Sequence, residues 1–156
     1  MNNKLVIKDK GYKQVKINLD NIHRARTKVG LPQEGTIKAG EVKSMLDLVR
    51  IGAIQEFGAP KRNIPQRSFV RSTFDNRKSN LLSICQSQYK NVVLGKLPAK
   101  KALGIIGEYL TNETKMAIKN RIPPPNAPMT IAQKGSDVPL IDTAQMIQSI
   151  QHVEIK

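Results

Sequence analysis

Hydrophobic and polar positions along this chain fall into blocks of different period. Val15, Ile17 and Leu19 alternate with Lys16 and Asn18, the two-residue period of a strand. Leu5–Ile7 is another short apolar run, and Asp9-Lys10-Gly11 between the two supplies turn chemistry. Together they predict an N-terminal hairpin over about residues 4–19. Asp20–Arg26 is expected to hold a turn or two of helix. Lys28-Val29-Gly30-Leu31 reads as a short strand stopped by Pro32, and Gln33–Gly40 as a loop with two glycines.

The period then changes. Val42, Met45, Val49 and Ala53 fall at helical spacing, with Leu46, Leu48 and Ile54 widening the face. They predict a helix from about Glu41 to Phe57, ended by Gly58 as a C-terminal glycine. Ala59–Asn63 reads as a basic loop. Pro65 is expected to open the next helix at its first position, where a missing N–H costs nothing. Phe69, Val70 and Phe74 would share one side of it, and Arg67 and Arg71, four apart, another. Leu81, Leu82, Cys85, Tyr89, Val92 and Val93 carry helical spacing to about Leu94, and Gly95 interrupts. Pro98 restarts a helix with the stripe Leu103, Ile106, Leu110, Ala117, Ile118 and Ile122, which Pro123-Pro124-Pro125 stops.

Residues 123–139 form a long proline-rich loop, inside which Met129-Thr130-Ile131-Ala132 is expected to pair as a strand. Loops of such length are commonly functional or disordered. Asp142 or Thr143 can cap a short helix through a side-chain oxygen, and Val153 and Ile155 suit a terminal strand. The elements sum to an α+β fold over residues 1–156, read as one domain. A small mixed or antiparallel sheet packs with three to four helices.

Composition sharpens this picture. At 156 residues and 39% hydrophobic content the chain can bury a core. No apolar run approaches the ~18 residues a membrane span needs, and the N-terminal run is too short for a signal peptide. The expectation is a protein that starts in a cytoplasm with no membrane partner. The net charge is +14, and residues 1–80 hold 17 basic side chains against 7 acidic, residues 81–156 only 9 against 5. That balance favours polyanions or acidic protein partners. Aromatics make up only 4%, and no zinc ligand set or recognition helix is evident, so a dedicated sequence-reading module is not expected.

Candidate chemistry thins out on inspection. The single cysteine, Cys85, lies on an apolar helical face and reads as a buried thiol. Asp142-Thr143-Ala144 is similar to the Asp-Thr-Gly of aspartic proteases, but that chemistry needs a second carboxylate motif, and none exists. Gly30, Gly35 and Gly40 lack the Gly-Lys-Ser/Thr of a phosphate loop. Cys85, His23 and His152 make no zinc site. Glu56 is expected to pair with Arg67 or Arg71 rather than act as a general base. Lys61 and Arg62, with those arginines, are candidates to meet nucleic-acid phosphate without reading sequence. No enzyme, cofactor or metal is predicted.

The order of two segments carries a resemblance. The first is Ala53-Ile54-Gln55-Glu56-Phe57-Gly58 with Ile64-Pro65-Gln66-Arg67-Ser68-Phe69-Val70-Arg71. After a long helical middle come Pro124-Pro125-Asn126-Ala127-Pro128-Met129-Thr130-Ile131 and Lys134-Gly135-Ser136. Pro139-Leu140-Ile141-Asp142-Thr143-Ala144-Gln145-Met146 with Ser149-Ile150 closes the pattern. From about Lys28 onward this resembles the tail-completion and neck proteins of long-tailed bacteriophages, a virion-morphogenesis family. The resemblance implies a non-enzymatic virion protein, assembled in the host cytoplasm. It would form a homo-oligomeric ring, commonly of six subunits, at the head–tail junction or the head-proximal tail end. Its neighbours would be other neck or tail proteins, and genomic DNA would pass through the ring. Glu56, Phe57, Arg67, Phe69, Arg71, Asp142 and Thr143 are then interface candidates, and Lys61 and Arg62 face DNA. Two features depart from the pattern: Ala144 stands where the family usually has glycine, and the hairpin is not part of it. A basic nucleic-acid-binding protein, blind to sequence, is the alternative.

Overall fold

The computed structural model describes residues 11–31, 45–141 and 144–155. Four helices carry most of its length: α1 (Tyr12–Arg24), α2 (Met45–Phe57), α3 (Arg71–Val93) and α4 (Ala99–Lys119). Two shorter ones follow, α5 (Pro128–Lys134) and α6 (Gln145–Ser149). The strands β1 (Arg26–Gly30) and β2 (Gln151–Ile155) join the two ends of the described chain in one antiparallel sheet, with Lys28 opposite Val153. The α+β class, the small antiparallel sheet and the terminal strand all match expectation.

The sheet lies on α4. A glycine at 107 leaves room for His152, whose Cβ and Cγ sit 2.8 and 2.7 Å from where an alanine Cβ would stand. Gly104 likewise faces Glu154, whose carboxylate also lies 3.7 Å from Lys100 Nζ. Thr27 and Val29 oppose Glu154 and His152 across the ladder. They therefore share the α4 face of the sheet, and Arg26 and Lys28 point away from it. The packed core sits at the other end of α4. Leu48, Phe69, Ile118, Ile122, Met146, Ile147 and Ile150 form one buried cluster. Burying a side chain the size of Phe69 stabilises by roughly 1.5–3 kcal/mol.

Four local expectations are corrected. The part of the hairpin within the described residues is helical: α1 covers Val15–Leu19, and the rest, residues 4–10, lies outside them. Val15, Leu19 and Ile22 also fit helical spacing. Ile22 lines a small apolar cavity with Cys85 and Tyr89 of α3, while Ile17, off that face, is 52% exposed. Packing on α3 thus outweighs the strand alternation. Pro65 does not open a helix: a single 3-10 turn at Pro60–Arg62 comes first, and α3 starts only at Arg71. Residues 123–139 contain α5, so Met129–Ala132 is helical rather than a strand. Pro128 occupies the first turn of α5 and Gly135 closes it at φ +68°. The α4 helix ends at Lys119, before the proline run. For α2, the expected start at residues 41–44 lies outside the described residues.

Candidate functional site

The site is built where α2 ends. The Gly58 N–H bonds the Ile54 carbonyl at 2.8 Å, and Gly58 takes φ +76°. A side chain there would press on the Gln66 backbone, 3.0 Å from the position of its Cβ. The turn at Pro60–Arg62 is closed by two backbone bonds between Ala59 and Ile64, 2.9 and 3.2 Å long. The chain therefore folds straight back along α2. The Arg67 N–H then reaches the Gln55 carbonyl at 2.7 Å, and Gln66 Nε2 the Glu56 carbonyl at 3.0 Å.

This return brings the start of α3 onto the Glu56 carboxylate. Oε1 accepts from Ser68 Oγ at 2.6 Å and the Arg71 N–H at 3.1 Å. Oε2 accepts from the Phe69 and Val70 N–H groups at 2.8 and 2.9 Å. The first N–H groups of a helix have no partner within it, and its N-terminal dipole favours an anion. Val70 at the N-cap offers no side-chain bond, so a carboxylate from another helix caps α3. The expected Glu56–arginine ion pair is therefore corrected: backbone N–H groups and a serine satisfy the carboxylate. Burial alone would raise its pKa, but the bonds from Ser68, Val70, Arg71 and Phe69 together hold it below the usual 4.5.

Arg67 turns the other way. It is buried, donating from Nε to the Pro124 carbonyl at 2.8 Å and from Nη2 to the Pro125 carbonyl at 3.0 Å. Nη1 lies 3.4 Å from Gln55 Oε1. Its surroundings are carbonyls without a counter-charge, and burial lowers its pKa. The expectation that Arg67 and Arg71 share a helix face is corrected for the same reason: Arg67 precedes the helix and points inward. Arg71 is exposed, its guanidinium 6.0 Å from the Phe57 ring centre.

The sequence-named residues thus separate. Glu56, Arg67 and Phe69 are 8, 7 and 2% exposed and engaged within the chain. Phe57 is 63% exposed and, with Arg71, Phe74 and Leu31, borders an open apolar surface. Lys61 and Arg62 are exposed on the 3-10 turn. Asp142 and Thr143 lie outside the described residues. Cys85 is half-buried and its thiol pKa is raised by burial.

A groove opens on the other side of Arg67, with a volume of about 710 Å³. Leu48 and Ile51 of α2 form its floor with Met146 of α6, and Pro124-Pro125 and α5 form a wall. Gln145 lines it and is 7% exposed, yet its Oε1 is buried with no hydrogen-bond partner. No sequence signal marked Gln145, because a glutamine in the first turn of a short apolar helix is unremarkable until its surroundings are known. Among the described residues, no group of His, Cys, Asp and Glu is arranged to hold a metal, and no helix is long and apolar enough to cross a membrane. No protein-family model, curated protein or solved structure matches the chain.

Proposed function

We propose that this chain is a structural subunit of a tailed-bacteriophage virion. Copies of it would form a ring at the head–tail junction or at the head-proximal end of the tail. What carries this reading is the way the two distant segments of the resemblance lock together. Arg67 from the first segment holds the Pro124 and Pro125 carbonyls of the second. Phe69 shares one buried cluster with Met146, Ile147 and Ile150. The segments are therefore parts of a single packed unit, as expected if both belong to one family signature.

The surface supports an assembling protein. Phe57 and Phe74, two of three phenylalanines, are 63% and 46% exposed beside each other around Arg71. Contiguous exposed apolar surface of this kind marks contact with another molecule. A ring needs two different surfaces that meet head to tail, and this patch is offered as one of them, with further copies and other neck or tail proteins as partners. The role is mechanical, without catalysis or cofactor, in the virion after assembly in the host cytoplasm. Light scattering on the purified chain, with and without Phe57→Ser or Arg71→Glu, tests the patch. Assembly of phage particles with the same variants tests the role. Unchanged oligomers and normal head–tail joining in both variants would sink the assignment of this patch, and a virion neck imaged without the subunit would sink the role.

A second reading has its own observation. Lys61 and Arg62 stand exposed outside the ion pairs found among the described residues, on a chain of net charge +14. A nucleic-acid-binding protein would hold duplex DNA near physiological salt and lose it steeply as salt rises. A ring subunit in isolation would bind little under the same conditions.

A further inference from the structure

We infer that the groove beside Arg67 is a docking site for an extended peptide segment of another protein, one that carries an apolar side chain next to a carboxylate. This does not rest on the ring assignment and would hold for any assembly the chain joins.

The argument begins with Gln145. A buried amide oxygen without a partner costs about 1–3 kcal/mol, so a polar group of this kind facing a groove points to a missing donor. Oε1 accepts, so the absent group is an N–H or O–H. The Gln145 side chain donates no hydrogen bond to the described chain either. A peptide unit, with a donor and an acceptor side by side, suits a free primary amide at both ends.

The rest of the lining narrows the ligand. Leu48, Ile51 and Met146 offer an apolar floor for a side chain. The volume is in the range of ligand sites, about 300–1,000 Å³. The charged groups at the groove are Arg67 and Lys134, and the described lining contains no Asp or Glu. Lys134 is held weakly, its Nζ 3.5 Å from the Val138 carbonyl. Two cations without a carboxylate call for an anion. No aromatic side chain lines the groove, so a nucleic-acid base has no ring to stack on, and a single strand gains only phosphate contacts there. A carboxylate-bearing peptide satisfies the amide, the floor and the charge together.

The test is selection from a random heptapeptide display library on the full chain, followed by fluorescence anisotropy of an enriched synthetic peptide. Expected are peptides with Asp or Glu adjacent to Leu, Ile, Val or Met. Gln145→Leu is expected to weaken the peptide about tenfold, as loss of one buried hydrogen bond does, while its melting temperature stays level or rises. Lys134→Glu is expected to weaken it most at low salt. A stable Gln145→Leu protein that binds as well as wild type overturns the inference, as does the absence of any acid-bearing enrichment. A thymidine decamer that binds wild type and is lost in the same two variants overturns it in favour of nucleic acid. The expected peptide result stands whether or not the chain forms rings, so failure of one reading is distinguishable from failure of the other.

Discussion

Ser68 Oγ lies 2.6 Å from Glu56 Oε1, and this bond ties the last turn of α2 to the residues that enter α3. The same carboxylate takes three backbone N–H groups. Replacing Glu56 by Gln keeps the size but turns an amide NH₂ toward those donors. The expected loss is about 2–3 kcal/mol at neutral pH, read from urea unfolding.

The loss should depend on pH, with a defined sign. The folded pKa of Glu56 lies below its ordinary value of 4.5. Its contribution is therefore complete above pH 4.5 and is lost as pH falls through the lower folded value. Wild type and Glu56→Gln should converge in stability on acidification, and a gap that stays constant from pH 7 to pH 3 contradicts the cap.

Much of this junction escaped the sequence because it is non-local. The α2 face, Gly58 and the strand at Val153 are local patterns and were legible. Pro65 looked like a helix start because proline suits that position. The real start, Arg71, is chosen by a carboxylate on another helix. Val15, Ile17 and Leu19 satisfy a strand period, while Val15, Leu19 and Ile22 satisfy a helical one, and only the α3 surface decides between them. Pro128 and Gly135 bracket α5 as start and stop signals should, but five prolines in the segment masked them. For Arg67, the partners are main-chain carbonyls 57 and 58 residues away, which no side-chain pattern encodes.

Arg67 gives a prediction from that geometry. Its guanidinium bridges two successive carbonyls, a fork that lysine cannot reproduce. Arg67→Lys should cost about 1.5–3 kcal/mol and loosen the Pro124-Pro125 wall of the groove. Hydrogen exchange of α5 amides should quicken in the variant. A shifted urea midpoint with unchanged α5 exchange would locate the loss elsewhere.

The α4–sheet contact rests on a missing side chain. An alanine Cβ at 107 would stand 2.8 Å from His152 Cβ, an atom close to the backbone that cannot swing away. Gly107→Ala should therefore destabilise by about 1–3 kcal/mol, as overpacking does, despite the better helix propensity of alanine. Combining it with His152→Gly in a double-mutant cycle should recover part of the cost. Simple additivity of the two changes would show that the contact is not what the glycine serves.

Ala144 sits at φ +61°, ψ 0°, the left-handed conformation that enters α6. The neck and tail-completion proteins that this chain resembles usually carry glycine there, and the backbone supplies a physical reason. A Cβ makes the left-handed region costly by roughly 1–2 kcal/mol, whereas glycine enters it freely. Ala144 itself packs at the edge of the core, and removing one methyl forfeits some of that contact. Freeing the unfolded chain also offsets part of the gain. The net expectation for Ala144→Gly is about 0.5–1 kcal/mol of added stability, against the usual penalty for glycine. Thermal unfolding measures it directly. A melting temperature lowered by the substitution would mean that methyl packing outweighs the backbone strain at the entrance to α6.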